Sequence, residues 1–347
     1  MPSLPAPVTR AHRGRPLRSA IVARRAAVAG TLTASLLHAQ SVPVRTADPA
    51  KRGVPLSAFP RIMQLAPNVY GYEEIRQPGF TTVSMFVVGR DGVLIADGQG
   101  SVQATQTMLD RIRAVTPLPI KWYVVGSDHG DHTAGNSVLP SDITYIVHRN
   151  SKVQLERDAA AAKVANDKAA ADAATKDTVA PPPRVVIVPP VAMAADSQDI
   201  DLGGVSVRVL FLGRAHTGGD LMVLVPSEKI LFMSEVYLNR VFPAMRSAYP
   251  AEWVATVDKA LARNVSRFVP GHGFIEAPAI SREELVTFRA SLSAVIAEAT
   301  RLHEAHVPID DAIKQANWGE YGSWLLADQQ AAIAVRRIYD ALDGKLR

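Results

Sequence analysis

Cysteine is missing from all 347 residues. No disulfide can form, and any metal site must be built from imidazole and carboxylate instead of thiolate. Hydrophobic residues make up 48% of the chain, yet no run approaches the roughly 20 apolar residues that a spanning helix needs. Phosphate-cradling glycine loops, nucleotide fingerprints and the G-x-S-x-G nucleophile turn are absent as well, which removes the readings that depend on them. Excess charge is also missing once its location is considered. The formal net charge of +5 rests on Arg10, Arg13, Arg15, Arg18, Arg24 and Arg25, in a stretch of forty residues without an acid. Without those six, 32 basic residues face 33 acidic ones, and nucleic-acid binding loses its electrostatic support.

The same forty residues read as an export signal. A basic region precedes a mildly apolar stretch at 26–37, too short for a stable anchor, and small residues follow at 38–41. Arg24-Arg25 suggests a twin-arginine route without completing that motif, and a disordered basic tail is the alternative. An export signal predicts a periplasmic or secreted protein with no integral membrane segment after its removal.

The chemistry concentrates in Ser127-Asp128-His129-Gly130-Asp131-His132, directly after the apolar run 120–125. Two imidazoles and two carboxylates within five residues, on a loop held by a strand, form a ligand set for a divalent transition metal, zinc above all. Three later loops each follow an apolar run and each add one ligand type: His216 in His216-Thr217-Gly218-Gly219-Asp220, Glu235 after 231–234, and His272 in Pro270-Gly271-His272-Gly273. Asp220 is expected to support a ligand from behind. Tyr237, Asn239 and Arg240 are expected either to line a pocket or to serve the core. His148, His303 and His306 fall outside the pattern and are expected to be structural. Trp318, Tyr321 and Trp324 are expected in the core.

In order and spacing these motifs resemble the metallo-β-lactamase fold superfamily, with its H-x-H-x-D-H motif, a distant His in H-T-x-G, an acid after a strand and a last His in P-G-H-G. The resemblance covers roughly residues 68–273. It implies two metals at the edge of a sandwich: His129 and His216 at the first, Asp131, His132 and His272 at the second, and Glu235 in the bridging position. Asp131 would also orient the attacking water. Two residues depart from the pattern: Ser127 stands where the first His belongs, and Glu235 where the bridging acid is Asp. They leave three readings open: a two-metal enzyme with a loosened first site, a one-metal enzyme using Asp131, His132 and His272, and a chain without catalysis.

Along the chain, residues 41–60 are expected as an extended linker and 61–280 as the main domain. Strands are expected at 68–72, 81–88, 93–96, 120–125, 143–147, 184–188, 205–212, 221–225 and 229–233, and a helix over 101–115. Two β-rich halves, each followed by a helical pattern, predict an α/β, four-layer αβ/βα sandwich. The Ala-, Lys- and Asp-rich stretch 151–178 predicts a surface helix, either a lid over the metal loops or a solvated connector, ended by Pro181-Pro182-Pro183. Helices over 252–263, 281–306, 310–316 and 323–342 make residues 281–347 a C-terminal helical extension. The function expected is a zinc-dependent hydrolase, with one or two zincs, attacking a carbonyl-type bond (lactam, lactone or ester) of a small molecule. Its rivals are a metal- or partner-binding protein that kept the fold without turnover, and an iron-dependent oxidoreductase.

Overall fold

The computed structural model describes residues 44–76 and 79–346; the expected export signal at 1–40 lies outside them. Two sheets carry the chain. The first holds β1 (Arg61–Ala66), β2 (Val69–Arg76), β3 (Phe80–Val88), β4 (Val93–Ala96), β5 (Ile120–Val124) and β6 (Thr144–Ile146), in that order. The second runs β11 (Arg267–Val269), β10 (Ile230–Phe232), β9 (Met222–Val225), β8 (Ser206–Leu210), β7 (Ser197–Asp201).

Side chains alternate between the two faces of a strand, and here both faces are covered, so the central strands are apolar throughout. Val83, Met85 and Val87 of β3 point into the space between the sheets, where Val223, Phe232 and Val269 meet them. Phe86 of β3 and Ile95 of β4 point outward, onto Met108, Leu109 and Ile112 of α1 (Val102–Val115). Ser101 caps that helix by accepting from the Ala104 amide. On the far side, Leu231 and Phe268 pack against Trp253 of α4 (Pro250–Leu261) and Phe288 of α5 (Pro278–Glu304). Helix, sheet, sheet and helix make the four layers expected from the sequence. The C-terminal α6 (Ile309–Gln315) and α7 (Ala327–Leu342) follow, and Ile338 joins the same core cluster as Trp253. No helix among the described residues is long and apolar enough to cross a membrane.

Two expectations need correction. Residues 184–188 form no strand. Prolines at 181–183 and 189–190 bracket them, and proline supplies no ladder donor; Val186 and Val188 still pack against the α1 layer. The edge strand is instead β7, exposed except at Ile200. Second, the stretch from 44 to 60 is tied down: Ala47 is fully buried in the core, and Arg52 makes a two-pronged ion pair with Glu276, both contacts at 2.7 Å. A burial-matched guanidinium–carboxylate pair of this kind fixes orientation as well as contact.

The helix expected over 151–178 is α3 (Arg149–Thr175), with only Ser151, Leu155, Ala162 and Ala173 buried. Its alanines and the i,i+4 pairs Lys163–Asp167 and Lys168–Asp172 hold it with little core. It is more than a connector. Asn150 donates to the Gly218 carbonyl at 2.7 Å, and the helix's first turns wall the cleft described below.

Candidate metal centre

Four loops meet at one edge of the sandwich because each continues a buried strand. β5 leads to the one-turn α2 (Gly130–Thr133), β10 to Glu235, β11 to His272, and the β8–β9 connection carries His216. Close backbone links hold the sheets together there: Val83 N–H donates to the Gly271 carbonyl, and Gly271 N–H to the Tyr237 carbonyl.

All six ligands expected from the sequence come together, in two groups that share one residue. His129, His216 and Glu235 form the first, and Asp131, His132, Glu235 and His272 the second. In the first, Glu235 Oε2 lies 3.0 Å from His129 Nδ1, and Oε1 lies 3.2 Å from His216 Nε2. In the second, His272 Nε2 lies 3.0 Å from Asp131 Oδ2, 3.2 Å from Glu235 Oε1 and 3.3 Å from His132 Nε2. Ligand atoms about 2.0–2.1 Å from one tetrahedral ion stand roughly 3.3 Å apart, so this spacing fits a zinc-sized cation. Glu235 thus occupies the shared position that the resemblance implied. Asp128 lines the cleft but joins neither group.

The imidazole tautomers sharpen the fit. His272 Nδ1 is 2.9 Å from the Thr81 carbonyl, a pure acceptor, so Nδ1 carries the proton. His132 Nδ1 is 3.0 Å from Asp97 Oδ2, within ion-pair distance but out of line for a hydrogen bond. With Nδ1 protonated, a neutral His272 ring presents its Nε2 lone pair to His132 Nε2 at 3.3 Å. A proton on one ring, or a divalent cation between the two, relieves that contact, so the geometry is compatible with a metal.

Electrostatics run the same way. Burial alone would raise the Glu235 carboxyl, but His216 and His129 outweigh it and hold it well below the usual carboxylate range. Burial opposes charge on His129, yet Glu235 carries its pKa up to about 10. Asp131 stays low against its own burial because His272 and His132 face it, and Arg76 pairs with it from the cleft side. Asp220, pushed up to about 7 by burial, receives the Thr217 amide and hydroxyl, each at 2.7 Å, and so closes the turn presenting His216.

Sequence reading missed Asp97. It is fully buried with φ 62°, accepts from the Gly126 and Ser127 amides and the Ser234 hydroxyl, and faces His132. Tyr237, Asn239 and Arg240 serve the core: Asn239 donates to the Phe274 carbonyl and Arg240 pairs with Glu284. Their neighbours Leu238 and Val241 line the cleft instead. His148 accepts from the Asn150 amide at the start of α3, and His303 pairs with Asp343. Trp318, Tyr321 and Trp324 pack on the core, as expected.

His272 depends on the glycine after it. Gly273 has φ +85°, and a Cβ there would sit 2.0 Å from the Asn239 carbonyl oxygen. Gly273→Ala is expected to lose about 2–4 kcal/mol of stability in denaturant unfolding of the metal-free chain; an unchanged midpoint would count against this account of how the His272 loop is held.

No family model matches the sequence, and no curated protein matches it. Solved structures do. A metallo-β-lactamase from Pontibacter korlensis superposes with a TM-score of 0.52 at 17% identity, over 66% of this chain and 98% of that one. A stereoselective inverting sec-alkylsulfatase from a Pseudomonas species superposes with a TM-score of 0.59 at 14% identity, over 80% of this chain; the chain spans 49% of the sulfatase's length. The layer order, the loop edge and these superpositions agree: this chain has the metallo-β-lactamase fold.

Proposed function

We propose that the chain is an exported zinc-dependent hydrolase that cleaves a carbonyl-type bond (lactam, lactone or ester) of a small molecule. The observation that carries this reading is Glu235, whose two oxygens reach both ligand groups while neighbouring carbonyl and carboxylate groups fix the facing imidazole nitrogens. His129, His216 and Glu235 would hold one metal, and Asp131, His132 and His272, with Glu235, the other. When bound, such metals supply Lewis acidity and activate water at neutral pH. Asp131 has the chain's own part beside the water: its Oδ2 faces the centre, Arg76 holds it, and the carboxylate would orient the water. Ser247 Oγ, 3.2 Å from His129 Nε2, holds the ring so that Nδ1 faces inward. The expected residence is periplasmic or secreted, where lactams, lactones and esters are met.

Elemental analysis of the mature protein, purified without added metal, tests the reading. About two zincs per chain are expected, with His132→Ala reducing the count to about one and ester or lactam hydrolysis falling with chelation. Tight iron instead would favour the oxidoreductase. No metal after zinc is added back would leave the binding protein without turnover.

A further inference from the structure

Above the centre opens a cleft of about 1450 Å³, walled by α3, the 211–220 loop, the 238–249 stretch and α7. It is rich in arginine. Two of these are neutralised, Arg76 by Asp131 and Arg214 by Glu252. Arg157, Arg184, Arg246 and Arg337 line the same cleft, and among the described residues none of the four has a carboxylate within ion-pair distance.

Arg337 is the informative one. Elsewhere the half-buried guanidinium groups of Arg45, Arg52, Arg61 and Arg240 each pair with a glutamate. Arg267, which lacks one, directs its donors to the Glu276 and Leu65 carbonyls. Arg337, half-buried as well, has among the described residues a single side-chain hydrogen bond, from Nε to the Ala248 carbonyl at 2.6 Å. Burial pulls its pKa below the ordinary arginine value, and the nearby Tyr249 and Asp340 offset only part of that. Its place is fixed relative to the centre. Ala248 precedes Tyr249, whose amide donates to the carbonyl of Ala215, the residue before His216, and the Arg337 guanidinium lies 5.6 Å from the Tyr249 ring. Two consecutive backbone links therefore seat α7's arginine at the His216 end of the cleft. Arg337 stands in the C-terminal helices, beyond the stretch that carries the metal motifs.

We propose that the substrate bears an oxyanion group (carboxylate, sulfate or phosphate) that Arg337 binds through its free Nη donors, with the exposed Arg246 as a second cation. This binding orients the scissile bond over the centre. The proposal rests on the hydrolase reading above and adds a substrate class to it. A guanidinium suits the task because its planar fork matches an oxyanion with two parallel donors and stays charged at working pH.

The test compares hydrolysis of 4-carboxyphenyl butyrate and phenyl butyrate by the zinc-loaded full chain. The ratio of kcat/KM, charged ester over neutral, is expected to favour the charged ester and to fall about 10- to 100-fold in Arg337→Gln, less in Arg246→Gln, with Arg337→Lys recovering part. An unchanged ratio in both glutamine variants overturns the proposal, and Arg246→Gln, at an exposed position, decides the matter if Arg337→Gln fails to fold. If neither ester is cleaved, ester hydrolysis is what has failed. Calorimetric titration of inorganic sulfate into the same proteins then decides: binding at least tenfold weaker in Arg337→Gln supports the subsite, and equal binding overturns it.

Discussion

Restoring the histidine that Ser127 replaces is expected to damage the centre. Ser127→His alone should bind about one zinc per chain instead of two and lose about 100-fold or more in activity, while Ser127→His with Glu235→Asp should recover both. The reason is steric and local. Ser127 is fully buried, and its hydroxyl donates to Glu235 Oε2 at 2.6 Å. The longer glutamate carries its carboxylate into the volume that an imidazole at 127 would need, so a ring added there meets Glu235 and costs about 1–3 kcal/mol of overpacking. Shortening Glu235 by one methylene withdraws the carboxylate and frees that volume. The two departures from the family pattern are therefore one compensating pair, in which the serine hydroxyl also anchors the carboxylate that spans both ligand groups. Zinc content, melting temperature and activity of the four members of the cycle should show strong non-additivity, because the residues touch. If Ser127→His alone raised zinc uptake, the pairing argument would fail and the natural site would be a degraded one.

That pairing shows what the sequence can and cannot disclose. His129, Asp131, His132, His216, Glu235 and His272 were legible because each follows an apolar strand, and strand ends fix side chains in space. The compensation between Ser127 and Glu235 was not legible, since it depends on a contact across 108 residues. Asp97 was invisible for the same reason: its partners are 29 to 137 positions away. Burial on both faces made the central strands easy to place. Edge strands were harder: β7 reads Ser-Gln-Asp-Ile-Asp with one buried side chain, and β1 is only half-buried along its length. An apolar pattern at 184–188 misled because its flanking prolines prevent pairing while its valines still find a core. The amphipathic C-terminal helices were legible as helices, but their share of the cleft wall was not, because it depends on where α7 docks.

Asp97→Ala is expected to produce the largest loss of stability of any single substitution near the centre. Asp97 Oδ1 accepts from Gly126 N at 2.7 Å and Ser127 N at 3.3 Å, and Oδ2 serves the Ser234 hydroxyl and His132 Nδ1. Alanine leaves the Gly126 and Ser127 amides and the Ser234 hydroxyl unsatisfied, each at about 1–3 kcal/mol, though partial relaxation will recover some of that. It also places a residue without a local polar side chain at φ 62°, a left-handed conformation that aspartate tolerates better. A net loss of about 3–5 kcal/mol follows, against a total stability of about 5–15 kcal/mol for an ordinary domain. Asp97→Asn keeps the shape and the backbone conformation but loses the charge opposite His132, so it should lie between the two. Loss of the acceptor also frees the His132 ring to turn, and zinc affinity should fall about 10- to 100-fold. The two effects separate in one experiment. Melting temperature without zinc reports the lost hydrogen bonds, and the further rise on adding zinc reports affinity, because a ligand stabilises only the state that binds it. A zinc-induced rise in Asp97→Ala equal to that of the natural chain would show that Asp97 holds up the fold without aligning His132, and the role assigned to it at the centre would have to be withdrawn.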